Sequence, residues 1–515
     1  MQTKSVLIVI AILLVLGAAL RLTTLRYNAL FEPDTYVYAS VANQTLHNNF
    51  QLTSGLSGVP PNPYPEGLPL VYLPAILSYL SGQSVYAVIE WLAPFFSLLG
   101  IPLAYLLAYE LSKNRYAGIL AAFIYAAMPA AFSRGMAGMW RGEVVVPILF
   151  GFSFLLLIRW YASRRTLNAV GAALLFFGAL VWWNGGKYVL ASLLILGSSY
   201  IAFVLAKRWK PSLDPNKIAY AAGIGLLLLA APFAYQYYNA AINLGGNLNV
   251  GATITEQMPP SAVSLVYYYN WVFFLAIAGV IIGAYYGRSQ DFDMAQYAMF
   301  SMFVPTFALQ LIAVRWSALF ALPAAVYGAY GIYALMKMLK PSRTVVLSAV
   351  LFCIITLSGF GAIFSWNTSP YDVTPGVLAA SSWIGSNTPT NSLVMTLWPD
   401  GSVVESIGHR ESYSDSIMGG TQMPGFGRFL FAKAGNYTYL NRTLDLSRPN
   451  YLLVRSYWRQ ESVAISVEAG LGFNTSINGT NLQQLINGDA PFRKAYIGND
   501  INGTIVIYNL SRAQD

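Results

Sequence analysis

Long runs of apolar residues, separated by short polar segments, fill most of the first 365 positions. A membrane-spanning helix needs about 20 apolar residues, because each adds 1.5 Å across a hydrocarbon layer about 30 Å thick. Such runs occur near 6–22, 86–111, 117–133, 144–158, 166–183, 188–206, 218–238, 263–286, 294–336 and 344–365. This pattern predicts a multispan α-helical membrane protein.

Two of these runs need interpretation. As one helix, the run 294–336 would be about 60 Å long, twice the hydrocarbon thickness. We therefore expect it to turn back near Arg315, which gives eleven visible spans. The first run resembles the apolar core of a signal peptide, but polar sequence with candidate chemistry follows closely, so we interpret it as a retained helix.

Composition agrees with a membrane location. Of the 515 residues, 56% are apolar and only 10% are charged, and the mean hydropathy is +0.51, outside the soluble range. The net charge of +9 does not require a nucleic-acid partner, because loop cations account for it. With the N-terminus inside, 14 of the 20 Lys and Arg in residues 1–365 lie on the cytoplasmic side, as the positive-inside rule requires.

The sequence changes character after residue 365. Residues 366–515 hold 10 Lys or Arg and 11 Asp or Glu, and short alternating stretches such as "SLVMTLW" and "GTIVIYNL" are typical of strands. The same charge distribution places this segment outside the membrane. We expect a transmembrane domain over 1–365 and an extracytoplasmic mixed α/β domain over 366–515.

Acidic residues in three outer segments are the candidate chemistry. Glu32, Asp34 and Glu66 lie in a large outer loop at about 23–85, Glu143 lies at the end of the second outer loop, and Glu256 lies in a large loop at about 239–262. Outer-loop acids are most often only solvated. Carboxylates that meet could instead hold Mg²⁺ or Mn²⁺, which prefer oxygen ligands and often share them with a phosphate-bearing substrate.

Six motifs, in order between residues 31 and 410, resemble those of one family. They are "EPDTYVY", "AGMWRGE", "WWNGGKYVL", "TITE", "VRWSALFALP" and "LWPDGSVVESIGHR". In these segments the chain resembles the catalytic subunit of the oligosaccharyltransferases, in particular the single-subunit archaeal and bacterial enzymes called AglB and PglB. The resemblance implies thirteen spans in the C-type glycosyltransferase membrane fold, with two helices hidden within about 117–238, and an archaeal source.

The resemblance also implies roles for individual residues. Asp34 and Glu256 would be catalytic and would accept the two N–H hydrogens of an acceptor asparagine amide. Asp34, Glu143 and Glu256 would hold Mn²⁺ or Mg²⁺. Arg315 would bind the lipid-linked pyrophosphate, for which a guanidinium fork is well suited; an arginine at a helix end that only extends its charge to water is the alternative.

Two positions depart from the family pattern. The family has an acid where this chain has Arg141, and a cation cannot ligate a metal. Three alternatives stay open: Glu143 and the remaining acids suffice for the metal, metal affinity is weakened, or Arg141 contacts a phosphate directly. The family's WWDYG motif binds the acceptor hydroxyl; here, with one residue deleted, Trp398, Pro399 and Asp400 take the places of Trp-Trp-Asp. Without the deletion Pro399 stands at the aspartate position. A Pro-Asp-Gly turn is the structural alternative.

The sequence therefore favours transfer of an oligosaccharide from a dolichyl or other polyprenyl phosphate or diphosphate to the asparagine of Asn-x-Ser/Thr, at the outer face of the cell membrane. The expected partners are that lipid-linked donor, the acceptor polypeptide and membrane lipid, with a single catalytic subunit. Another polyprenyl-phosphate-sugar-dependent glycosyltransferase, of the O-mannosyl or lipid-modifying type, is the alternative. A transporter would need ionisable residues at mid-membrane, where this chain has mainly Glu90.

Overall fold

The structure is a computed structural model. It describes residues 3–27, 30–52, 67–183, 188–209, 218, 220–225, 259–286, 293–368, 373–413, 419–438, 440, 449–460, 462, 465, 471, 476–500 and 503–510. Most of the predicted run 218–238, the centre of "WWNGGKYVL", Glu66 and nearly all of the loop at 239–262, including "TITE" and Glu256, lie outside these residues.

Helices dominate the part of the chain before residue 368. They are α1 (Thr3–Arg21), α2 (Pro33–His47), α3 (Pro69–Ser81), α4 (Val85–Ser112), α5 (Arg115–Ala127), α6 (Pro129–Phe132), α7 (Gly142–Ser163), α8 (Thr166–Trp182), α9 (Tyr188–Trp209), α10 (Ala262–Tyr269), α11 (Val272–Tyr286), α12 (Met294–Ile312), α13 (Ser317–Leu339) and α14 (Arg343–Asn367). Among the described residues seven helices are long and apolar enough to cross a membrane, or eight if the bent pair α10–α11 counts as one span. The prediction of a multi-pass α-helical membrane protein is confirmed.

Several predicted runs become helices with different bounds. The run 294–336 divides at a short 3-10 turn, Val314–Trp316, so the predicted reversal near Arg315 is confirmed. The run 117–133 is shorter than predicted, because Met128 is extended before Pro129 and ends α5. The run 263–286 bends by 85° between α10 and α11, where Asn270 has a φ of 55°.

A small sheet domain follows α14. Its strands are β1 (Leu393–Met395), β2 (Glu411–Ser412), β3 (Tyr451–Arg455), β4 (Arg493–Asp500) and β5 (Gly503–Asn509), in the order β2-β1-β3-β5-β4. Strand β1 is parallel to β2 and β3, whereas β5 is antiparallel to β3 and β4. The associated helices are α15 (Pro375–Asn387), α16 (Trp398–Val403), α17 (Gly419–Phe431) and α18 (Asn481–Asn487). The mixed α/β character expected of this region is confirmed.

The sheet domain packs directly on the first polar segment of the membrane part. One core of buried side chains includes Tyr36 and Val41 from α2, Ile89 from α4, and Val377 and Val404 from the sheet domain. Apolar burial of this kind is non-directional and strong, at about 25 cal/mol per Å². The contact therefore fixes α2 between the membrane helices and the sheet domain.

Backbone hydrogen bonds join the loop 133–141 to its neighbours. Phe31 donates to the carbonyl of Gly138 (2.9 Å), and Gly138 donates to the carbonyl of Glu90 in α4 (3.1 Å). Gly138 has a φ of 80°, which side chains other than glycine rarely adopt. On α1, the carbonyl of Arg21 accepts from Ala137 (2.9 Å). The loop thus connects the end of α1 and the first part of α4 with the start of α2.

Candidate functional site

Asp34 lies in the first turn of α2. The helix begins at Pro33, whose fixed φ and missing N–H suit that position. The backbone N–H of Trp140 donates to the Thr35 hydroxyl at 3.1 Å, and the Trp140 indole donates to the carbonyl of Leu70 at 2.8 Å. These bonds hold the start of α2 against the segment that leads into α7, so Asp34 and Arg141 meet although 107 positions separate them.

Three charged side chains, those of Arg141, Glu143 and Arg315, lie around the start of α7. Arg141 is its N-cap residue and Glu143 lies in its first turn, where the positive end of the helix dipole favours a carboxylate. The Glu143 side chain is completely buried, and its Oε1 lies 3.1 Å from Nη2 of Arg315, whose side chain is 17% exposed. Glu143 therefore orients the guanidinium of Arg315.

Arg141 is also paired with the two acids at the start of α2, Glu32 and Asp34. Its Nη2 donates to Oδ2 of Asp34, and its Nε lies 3.3 Å from Oε2 of Glu32. Arg134 pairs with the other oxygen of Glu32. These three carboxylates and three guanidiniums thus carry equal and opposite charge, and their side chains are at most 21% exposed.

The fit of a metal to these residues can be tested directly. Within the described residues, no three His, Cys, Asp or Glu side chains are grouped so that they could hold a metal ion. Glu32 and Asp34 are bound by guanidiniums, and Glu143 has one buried oxygen without a hydrogen-bond partner but lies beside Arg315. The described acids therefore do not fit a divalent ion as they are arranged. Glu256, the remaining predicted ligand, lies outside the described residues.

The Trp398–Asp400 segment forms a helix start, not a free turn. Pro399 is the second residue of α16. Both α16 and the following turn, Val404–Gly408, pack against α2. The Ser406 hydroxyl donates to the carbonyl of Tyr36 at 3.1 Å, and the Tyr86 hydroxyl donates to the carbonyl of Ser406 at 2.8 Å. The predicted acceptor-binding segment and the helix that carries Asp34 are therefore neighbours.

Asp400 itself points into the sheet domain. It is 1% exposed, and its oxygens accept from Arg455 Nη1 at 2.6 Å and from the Trp458 indole at 3.0 Å. Burial raises the pKa of the Asp400 carboxyl, and the charge of Arg455 opposes that change. Trp398 is half-buried beside it. Acceptor binding by Trp398 and Asp400 stays a prediction, as does the one-residue deletion on which it depends.

Several partners were missed in the sequence. Arg134 stands three residues before the "AGMWRGE" segment, and nothing in its spacing indicates that it pairs with Glu32, 102 positions away. The same holds for Arg455, which binds Asp400 and, through Nε, Oδ2 of Asp500 at 3.0 Å. For Arg134, the sequence signal that could have indicated an ion pair is its position close to a predicted acidic ligand. For Arg455, the only such signal is a charged residue at the end of an apolar strand.

Solved structures of multispan membrane proteins share this arrangement of helices and sheet domain. Among solved structures, the oligosaccharyltransferase of Archaeoglobus fulgidus in its apo form matches with a TM-score of 0.77 over 97% of this chain and 80% of that one, at 16% identity. A second structure, of AglB from the same organism with an inhibitory peptide and a dolichol-phosphate, matches with a TM-score of 0.75 over 96% and 79%, at 16% identity. The expected AglB-type fold is confirmed.

A more distant likeness extends over the whole chain. ArnT from Cupriavidus metallidurans, in the apo state, has a TM-score of 0.52 and 12% identity, with 98% of each chain covered. A structure of the Archaeoglobus enzyme in complex with Zn and sulfate also matches, with a TM-score of 0.69 over 97% of this chain and 73% of that one, at 18% identity. No family model matches the sequence, and no curated protein matches it. The likeness is thus one of fold.

Proposed function

We propose that this protein transfers an oligosaccharide from a lipid-linked phosphate or diphosphate to the side-chain amide of asparagine in Asn-x-Ser/Thr, at the outer face of the membrane. One observation carries the proposal. Asp34 is paired with Arg141 at the start of α7, and the charge of Arg141 acts on Glu143, which is paired with Arg315. These residues come from separate segments, in a fold shared with an archaeal oligosaccharyltransferase. The neighbours that hold dolichol-phosphate and an NVT-sequon peptide support both substrate classes.

The donor side of the reaction rests on Arg315. Its guanidinium presents donors in a planar fork that matches phosphate oxygens, and Glu143 binds one end of that fork at 3.1 Å. The turn Val314–Trp316 places it between the two membrane helices α12 and α13. We assign Arg315 to binding the donor phosphate and stabilising the negative charge that forms on it as the sugar departs.

The acceptor side rests on Asp34. An amide nitrogen is a poor nucleophile, because its lone pair is delocalised with a rotational barrier of about 18–20 kcal/mol. Asp34, held through Oδ2 by Arg141, accepts an N–H of the acceptor amide through its other oxygen. The nitrogen then forms a bond to the anomeric carbon, the bond from that carbon to the phosphate oxygen breaks with its electron pair, and the amide proton passes to the carboxylate.

Mn²⁺ or Mg²⁺ bound by Asp34, Glu143 and Glu256 stays a prediction, which depends on Glu256. Because guanidiniums bind the described acids, Asp34 and Arg315 carry the steps of the proposed reaction. Such an ion, if bound, would supply a Lewis acid for the departing phosphate.

A peptide assay tests the proposed function. The full-length protein in detergent is mixed with a lipid-linked oligosaccharide extract and a fluorescent peptide that contains Asn-x-Thr, and products are identified by mass. The matched peptide carries Gln in place of Asn, which keeps the amide and moves it by one methylene. We expect the Asn peptide alone to gain the glycan; equal modification of both would refute asparagine transfer.

The alternative function makes a different product in the same assay. A lipid-modifying or O-mannosyl type enzyme is favoured by one observation, the full-length likeness to ArnT, one structure of which is bound to undecaprenyl phosphate. Such an enzyme would transfer the sugar to a lipid or to the threonine hydroxyl. Sugar found there, with the asparagine unmodified, would select the alternative.

Changing Arg315 to lysine separates charge from geometry. Lysine keeps a positive charge but cannot bind Glu143 and a phosphate through one planar fork, so we expect the KM for the lipid donor to rise about tenfold or more, equivalent to about 1.4 kcal/mol, with the KM for the peptide unchanged. The matched control is Arg159→Lys, because Arg159 pairs with Glu110 at the other end of α7 and is 45% exposed. A donor KM that both variants leave at the wild-type value would contradict the role of Arg315.

A further inference from the structure

Arg141 occupies the centre of the carboxylate cluster. Its side chain is 8% exposed, its Nη2 is paired with Oδ2 of Asp34, and its Nε lies 3.3 Å from Oε2 of Glu32. It also acts electrostatically on Glu143, two residues further on. One guanidinium is therefore paired with two acids of one segment, and its charge acts on a third acid from another segment.

The position of this cation matters because a guanidinium and a divalent ion compete for the same oxygens. Arginine stays protonated at any working pH and has no lone pair to offer a metal. An ion placed between Asp34 and Glu143 would meet the fixed charges of Arg141 and Arg315 at close range, in a site where burial weakens screening. Arg141 thus supplies these carboxylates with the positive charge that a metal ion would otherwise supply.

We propose that Arg141 is a resident cation that replaces a divalent metal between Asp34 and its neighbouring acids, and that it is the positioning residue which orients Asp34. The claim that Arg141 orients Asp34 rests on the proposed function, whereas the claim that Arg141 replaces a metal ion does not. Transfer by the wild-type protein then needs no added divalent ion. Arg141→Asp, which creates an Asp-Gly-Glu sequence at the start of α7, opens a metal site instead.

Direct metal binding is the first test. The full-length protein in detergent, stripped with a chelator, is titrated with Mn²⁺, and free Mn²⁺ is followed by electron paramagnetic resonance. We expect the wild type to bind Mn²⁺ at least tenfold more weakly than Arg141→Asp, which gains one site. Arg134→Asp is the matched control, since it makes the same charge change in the same loop; equal gains in both variants would refute a positional role.

The wild-type titration decides the matter even if Arg141→Asp does not fold. One tightly bound Mn²⁺ per wild-type chain would overturn the proposal. In the peptide assay, the wild-type protein is expected to keep transferring in excess chelator, whereas Arg141→Asp transfers only with added Mn²⁺. Wild-type transfer that stops in chelator refutes the resident cation and leaves the proposed function standing. The expected binding pattern without transfer in any protein refutes the proposed function alone.

Discussion

Replacing Asp34 by asparagine is expected to lower the rate of glycan transfer by about 10²–10⁴-fold, the usual contribution of a positioned acid or base. The substitution keeps the size of the side chain but removes the charge that accepts the amide N–H. It also presents an NH₂ group to Arg141, which now binds Oδ2 of Asp34. We expect kcat to fall and the KM for the lipid donor to stay near that of the wild type, because Arg315 is untouched.

The comparison variant is Glu110→Gln. Glu110 is also a membrane-end carboxylate paired with cations, Lys113 at 2.6 Å and Arg159 at 3.8 Å, but it lies at the end of α4 far along the helix from Glu90 and the loop 133–141. Thermal unfolding of both variants, followed by circular dichroism, shows whether each is folded. A folded Asp34→Asn protein with wild-type kcat would remove Asp34 from the reaction.

Replacing Arg455 by methionine is expected to destabilise the sheet domain by about 3–5 kcal/mol, the usual cost of removing one member of a buried ion pair. Arg455 is 2% exposed and binds both Asp400 and Asp500. Its Nη2 also donates to the Thr374 hydroxyl, the N-cap of α15, at 3.2 Å. Methionine fills much of the space but removes the guanidinium that both buried carboxylates share.

Urea unfolding of the full-length protein, followed by limited proteolysis of the sheet domain, measures this effect. The control is Arg459→Met, an exposed arginine one turn further along the chain, which is expected to change stability little. Adding Asp400→Asn and Asp500→Asn to Arg455→Met should recover part of the loss, because neutral amides cost less to bury than unpaired charges. Equal stability of the two single variants would show that the ion cluster does not stabilise the domain.

The apolar pattern predicted the membrane part well where helix length alone decides the outcome. The reversal at Val314–Trp316 follows from the excessive length of one apolar run, and α7 and α14 begin and end close to their predicted bounds. The short α5 and the bend at Asn270 depend on backbone conformation at single residues. Hydropathy averages over such positions and cannot detect them.

Only some of the residues of the candidate site could be predicted from the sequence. Motif order and membrane sidedness brought Asp34, Glu143 and Arg315 together as candidates, and the structure places them around one cluster. What the motifs could not indicate is pairing over long separations: Arg141 with Asp34, Arg134 with Glu32, and Arg455 with Asp400. Such pairs depend on how helices and strands pack, and a local pattern contains no record of that.

The most direct test of asparagine transfer follows the acceptor nitrogen itself. An Asn-x-Thr peptide with ¹⁵N in the side-chain amide is incubated with the full-length protein and lipid-linked oligosaccharide, and the product is examined by ¹H–¹⁵N NMR. We expect the labelled NH₂ to become a single N–H coupled to the anomeric proton of the sugar. A glycopeptide that keeps its labelled NH₂, with the sugar on the threonine oxygen, would contradict it.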